Sequence, residues 1–172
     1  MKRATRKRLW ISGACLIVCF WAVVAHSSLV IPVYSTGTGA MMGEIKADDT
    51  IYGLILTPHI HGLRPGMHGF HVDTCPMCAA HGLAAGGHWD PQLTDTHSGP
   101  YRGSGHLGDL PVLVVDRMGN ATLPVLAPRL KLDAIKNRAL VIDSGGDNYS
   151  DQPNRSGGGG FRIACGVIPY FN

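Results

Sequence analysis

The sequence predicts an all-β domain, and three observations carry that expectation. Short apolar or alternating runs recur along the chain. Clusters of Asp, Asn, Gly and Pro separate most of them. Only one brief segment, Leu130–Lys136, has helical character. The first run, Leu29–Thr36, alternates apolar and polar side chains over part of its length. Gly43–Ala47 and Thr50–Thr57 follow, with the turn placed at Ala47-Asp48-Asp49. Met67–Val72 comes after the breaker Arg64-Pro65-Gly66, and Pro111–Val115 and Ala121–Leu126 flank Arg117-Met118-Gly119-Asn120. Ala139–Ile142 and Phe161–Ile168 complete the set. Many short strands with Gly-rich turns predict a sandwich or barrel. Two connections, Thr74–Leu110 and Ser144–Gly160, are too long to be plain links, and loops of that length in a compact domain carry function.

The chain has 172 residues, enough for one domain with a real core, and no second domain or repeat is visible. Its formal charge of +3 arises from the first segment. Lys2, Arg3, Arg6, Lys7 and Arg8 precede an apolar run from Leu9 to Ala25. Without residues 1–25 the remainder carries ten basic against twelve acidic residues, a net charge of −2. The basic balance therefore gives no argument for nucleic-acid binding. Basic residues, then an apolar stretch, then small residues read as a secretory signal with a cleavage point after Ala25. An uncleaved membrane anchor is the alternative, because the apolar run is long for a signal and short for a span. Either way the domain at 26–172 is expected outside the cytoplasm, where disulfides persist.

Cys15 and Cys19 lie in the leader, which leaves Cys75, Cys78 and Cys165: one bridge and one odd thiol. Cys75-Pro76-Met77-Cys78 has redox-motif spacing, but no strand-to-helix context surrounds it.

The first long loop contains GGHWDPQLTDTHSGPYRGSGHLGD. Its His88, His97, His106 and Asp109 supply three imidazoles and a carboxylate, a closed tetrahedral set for zinc. A closed set signals a structural metal, since catalytic zinc keeps a position open for water. The same assignment explains the loop, which needs something to fold around. His59 and His61 form a separate H-x-H, read as a surface pair because two histidines alone bind metal weakly.

The segments LRPGMHGFHVD, AAGGHWDP, GSGHLGDLP, SGGDNYSDQP and GGGGFRIACGVI resemble the bacterial periplasmic copper/zinc superoxide dismutases, over about residues 50–168. The resemblance implies an eight-stranded Greek-key β-sandwich or barrel, with two long loops forming a metal site. It implies that His88, His97, His106 and Asp109 are the zinc ligands and that His88 also faces copper. Asp147 would join the two metal sites through hydrogen bonds. Arg162 would guide superoxide, and Cys78 and Cys165 would form the family's disulfide. Cys75 would stay free, pair between chains, or exchange with Cys78. Bacterial members differ in whether they form a homodimer, so the resemblance leaves the oligomeric state open.

The chain departs from that family at copper. The family uses four histidines, two of them in an H-x-H on one strand. Here that pair is His71-Val72-Asp73, and the position before the second loop is Asp143. The altered copper site would thus hold His71, Asp73, His88 and Asp143, while every zinc ligand remains. Copper in its reduced state is soft and prefers imidazole to carboxylate. The expectation is zinc as cofactor, copper not held in a cycling form, and Arg162 a vestigial guide that could pair with Asp143. The aspartates would be solvated or bonded to loop amides. The alternatives are a second, non-copper metal at the His/Asp site, and residual or full copper/zinc dismutase activity.

Overall fold

Alternating burial along the chain decides where strands form. The computed structural model describes residues 28–170; the leader at 1–25, its cleavage point and any anchor lie outside these residues. In β1 (Ser28–Ser35), Ile31 and Val33 turn inward while Val30 and Pro32 stay exposed. β2 (Met41–Thr50) buries Ile45 and Ala47, and β3 (Gly53–Ile60) buries Leu54, Leu56 and Ile60. β4 (Gly66–His68), β5 (Phe70–Asp73), β6 (Leu113–Val115), β7 (Val125–Ala127), β8 (Arg138–Asp143) and β9 (Arg162–Ile168) complete the strands of the described residues. One antiparallel sheet runs β5-β8-β9-β1-β2-β3-β7, and β4 pairs with β6 in a second ladder. The core joins Ile31, Ile45, Leu56, Phe70, Leu113, Leu140 and Ile168, all at most 1% exposed.

The all-β expectation holds, and each of the eight predicted runs contributes strand. Met67–Val72 is broken at Gly69, which gives β4 and β5. Gly69 hydrogen-bonds outside its own strand, its N–H donating to Gly145 at 2.7 Å and its carbonyl accepting from Asp143 at 2.9 Å. A Cβ there would sit 2.9 Å from Asp143 Oδ2, so the break and the absent side chain make room for that carboxylate. The turn placed at Ala47-Asp48-Asp49 lies instead at Ile51-Tyr52. Asp48 and Asp49 are paired with Ile55 and Leu54 across the β2–β3 ladder, and Asp49 accepts the N–H of Leu132 at 2.8 Å. The helical segment shrinks to a 3-10 turn at Leu132–Ile135, which buries Leu132 and Ile135.

β5 is the edge strand that matters. Its Phe70 and Val72 face the core. Strand alternation sends His71 and Asp73 to the other face, yet these too are 1% and 0% exposed. The first long loop covers them. It pairs locally with the free edge of β5 through bridges His71↔Asp109 and Asp73↔His88. That cover removes an exposed sheet edge and sets the site against a fixed backbone.

Candidate metal centre

Three histidines converge on one buried carboxylate. Asp109 Oδ1 lies 3.0 Å from His88 Nδ1 and 3.4 Å from His106 Nδ1, and Oδ2 lies 3.0 Å from His97 Nδ1. The Asp109 side chain is fully buried. His97 Nδ1 and His106 Nδ1 are buried without a hydrogen-bond partner. Three Nδ1 atoms pointed at one carboxylate, two of them otherwise unsatisfied, are what a tetrahedral cation would resolve. Zinc fits this donor set. These imidazoles hold Asp109 far below the ordinary carboxylate range, against the opposing effect of its burial.

Asp147 ties this group to β5. Its Oδ1 accepts from His97 Nε2 at 2.7 Å and its Oδ2 from His71 Nε2 at 2.9 Å. The side chain is fully buried, and Gly157 makes that possible: a Cβ at Gly157, where φ is +78°, would overlap Asp147 Oδ1. Burial opposes ionisation of Asp147, but the hydrogen bonds from His71 and His97 outweigh it and hold its carboxyl well below the usual range. Burial would lower His97, yet Asp109 and Asp147 push it up to about 9 in the metal-free protein. His71 behaves alike, raised to about 9 by Asp143 and Asp147 against its own burial. His88 moves the other way, to about 4, through burial and the charge of His71. The rings of His71 and His88 stack at 3.7 Å between centroids.

Beyond His71 lies a cavity of about 380 Å³ lined by His71, Asp73, His88, Asp143, Arg162 and the glycines at 158–160. Asp73 is an ion-pair partner of Arg162, Nη2 to Oδ2 2.8 Å, and burial raises its pKa to about 7 although Arg162 opposes the shift. Arg162 also donates to the carbonyls of Gly82 at 2.8 Å and Gly86 at 2.5 Å. Asp143 Oδ2 lies 3.4 Å from His71 Nδ1. The expected Arg162–Asp143 pairing and the solvated aspartates are thus corrected. Strand alternation buries Asp73 on β5, where Arg162 reaches it from β9 across β8, and a register slip between Ile142 and Asp143 accompanies the approach of Asp143 to His71.

The structure brings the predicted ligands, Asp147 and Arg162 together around β5 and the two long loops, and leaves His59 and His61 outside the site. Among the described residues, ligand atoms of His71, His88, His97 and Asp109 lie within 4.8 Å of one another, and His106 Nδ1 approaches the same carboxylate at 3.4 Å. Two contributors escaped the sequence. Asp151 accepts the backbone N–H of His97 at 2.8 Å and so clamps one long loop to the other. Tyr149 lays its ring 6.5 Å from His97 and accepts the N–H of Val112 at 2.9 Å. Both lie in the NYSD run, whose polarity marks a loop but not its partner. Cys78 and Cys165 form a disulfide with a Cα separation of 5.7 Å, and Cys75 is free. His59 and His61 are exposed.

Residues 41–168 match the family described as Copper/zinc superoxide dismutase (SODC). The chain belongs to the copper/zinc superoxide dismutase family. It is 51% identical over 170 residues to copper–zinc superoxide dismutase 1 of Salmonella typhimurium, covering 92% of this chain and 94% of that one. It is 48% identical to the copper–zinc superoxide dismutase of Legionella pneumophila over 160 residues, with 91% and 98% covered. Among solved structures, the copper/zinc superoxide dismutase from Brucella abortus superposes with a TM-score of 0.78 at 44% identity, covering 83% of this chain and 99% of the other. Membership implies copper and zinc as the family's metals, and the centre described above is the His/Asp group available to hold them. The disulfide fits an oxidising compartment.

Proposed function

We propose that this member of the dismutase family is a zinc-holding protein of the bacterial cell envelope that lacks fast superoxide dismutation. The observation that carries the reading is the donor set lining the cavity beyond His71: two imidazoles, His71 and His88, beside two carboxylates, Asp73 and Asp143. In the family, copper supplies the redox cycle between its two oxidation states. Reduced copper is soft and needs imidazole, thiolate or thioether, while carboxylates favour the oxidised ion and depress its potential. Asp73 and Asp143 stand where the family pattern expects histidine, so the pocket does not fit a cycling copper. Arg162 supports the same reading, since its guanidinium is engaged by Asp73 and two carbonyls and is not presented freely to an anion. The zinc side, by contrast, keeps all four donors. The leader and the disulfide support export to the periplasm, by a cleaved signal or as an anchored protein.

The second reading is an active copper/zinc dismutase. It is favoured by 51% identity to a protein that carries that name. Loading the protein with zinc and copper together, then measuring metal content and superoxide removal by pulse radiolysis, separates the two. One zinc, little copper and no removal approaching about 10⁸–10⁹ M⁻¹s⁻¹ support our proposal. Removal near that ceiling sinks it. Asp73→His with Asp143→His is the gain-of-function control: on our reading, copper retention and dismutation appear together in the double variant.

A further inference from the structure

Cys75 is a nucleophile that the zinc reading leaves unused. We propose that Cys75 exchanges with the Cys78–Cys165 disulfide, forming a Cys75–Cys78 bridge that unfastens the first long loop from β9, and that zinc held in this loop opposes the exchange. The metal's part rests on the zinc reading above. Whether superoxide is dismuted has no bearing on it.

Position is the first argument. Cys75 is free and half-buried, three residues before a bridged cysteine. Three residues of chain span at most about 10 Å. The Met77 N–H donates back to the Cys75 carbonyl at 2.8 Å, so the segment is folded shorter than that. The Cys75 N–H donates to the Ala85 carbonyl at 2.8 Å. Ala85 belongs to the small apolar cluster that contains Cys165 and against which Cys78 packs. A Cβ on Gly86, the next residue, would sit 3.6 Å from Cys75 Sγ. The fold thus brings the third cysteine to the edge of the cluster that holds the other two. Charge is the second argument. Arg138 Nη1 donates to the Thr74 carbonyl at 3.2 Å, and the charge of this guanidinium acts on Cys75. A cation beside the attacking sulfur answers the negative charge carried during exchange.

The step is balanced without an added oxidant or reductant. Cys75 attacks Cys78 Sγ as the thiolate; the Cys75–Cys78 bond forms and the Cys78–Cys165 bond breaks. The electron pair leaves on the Cys165 sulfur, which takes up the proton that Cys75 gave away, and one disulfide remains. Cys165 is 1% exposed and packs among Ala85, Ala139 and Val141, a place that suits a small apolar thiol. The new bridge closes within the loop. Among the described residues, the covalent link from the loop to β9, 87 residues long, is then gone. Arg162, three residues before Cys165, keeps only hydrogen bonds to the Gly82 and Gly86 carbonyls of that segment and its ion pair with Asp73. Zinc on His88, His97, His106 and Asp109 fixes the same loop and so favours the arrangement with Cys78 beside Cys165, Cα to Cα 5.7 Å. By linkage, exchange weakens zinc binding as much as zinc opposes exchange.

The test locates the bridge with and without zinc. In the full chain, Cys15→Ser and Cys19→Ser leave Cys75 as the one free thiol. Zinc-loaded and chelated samples are held without oxygen or added thiol, quenched with acid, alkylated, and mapped by mass spectrometry after acidic digestion. We expect the label on Cys75 in the zinc-loaded sample. In the chelated sample it should move to Cys165, with Cys75 and Cys78 recovered in one bridged peptide. With Cys75→Ser added, Cys165 should take no label in either sample, and zinc should be lost to a chelator more slowly. Label confined to Cys75 after chelation overturns the proposal, as does a Cys75–Cys165 bridge with the label on Cys78. Equal transfer with and without zinc overturns the opposition by the metal. Labelled Cys165 in the Cys75→Ser chain would show reduction in place of exchange and overturn it too. Zinc content of the same samples tests the other reading separately: a chain that holds no zinc yet moves its label to Cys165 refutes the zinc reading and leaves the exchange standing.

Discussion

Arg162 and Asp73 form the contact in which the chemistry of single residues is most exposed to test. Removing one partner of a buried pair leaves the other uncompensated, which costs about 3 kcal/mol. Arg162→Met should therefore destabilise the protein by about that amount in urea unfolding, because Asp73 is 0% exposed. Adding Asp73→Leu to Arg162→Met should recover most of the loss, since a buried pair exchanged for apolar side chains is close to neutral. A double variant as unstable as the single one would show that Arg162 stabilises through its bonds to Gly82 and Gly86 instead. Gly157 makes a second prediction at this scale. A methyl group there meets Asp147 in a backbone conformation that L residues rarely adopt. Gly157→Ala should weaken zinc binding about 10–100-fold through loss of the Asp147 support, measured by competition with a chelator. Protons compete with zinc in the same place. His97 lies at about 9 without metal, so near neutrality it carries a proton that zinc must displace. Zinc affinity should fall as pH falls from about 9 toward 6, and calorimetry in buffers of different ionisation enthalpy should detect proton release at pH 7. A flat affinity over that range would contradict the assignment of His97 as a ligand.

Elements are held together by cross-links that skip most of the chain. The Cys78–Cys165 disulfide spans 87 residues and fastens the first long loop to β9. A closed loop of that length is worth about 4.6 kcal/mol in the chain-entropy account. Reduction, or Cys165→Ala, should lower the midpoint of urea unfolding accordingly. It should also speed zinc loss, because the loop held by the bridge carries His88, His97, His106 and Asp109. Unchanged zinc dissociation after reduction would show that the His71↔Asp109 and Asp73↔His88 bridges suffice to hold the loop. The glycine break between β4 and β5 works at this scale too. It ends one ladder and starts another at the point where Asp143 must enter.

Across the whole molecule, two kinds of material coexist. The sheet has a continuous apolar core, whereas the long loops at 74–112 and 144–161 are joined largely by polar contacts: Asp147 to His97, Asp151 to His97, and Arg155 to Asp95 at 2.6 Å. Zinc removal should therefore uncouple the loops and spare the sheet. Hydrogen exchange after chelation should rise in the two loops and stay slow in β1, β2 and β3. A uniform rise would mean that metal and core form one cooperative unit.

By itself the sequence determined the all-β class, the apolar runs that became strands, the two long loops and the three histidines and aspartate of the first loop that converge in the structure. These are local properties: alternation, turn chemistry, and ligand types placed within one loop. It also located Asp73 and Asp143, because the motifs around them are short and contiguous. Tertiary structure alone decided which partner each charge would take. Arg162 is 89 residues from Asp73 in the chain, and only the β5-β8-β9 register and the register slip before Asp143 bring Arg162 to Asp73 and Asp143 to His71. Asp151 and Tyr149 came to His97 in the same way, by one loop folding over the other. Pairing energies between buried charges depend on distances of a few ångströms, and a sequence pattern carries no such distance until the sheet has closed.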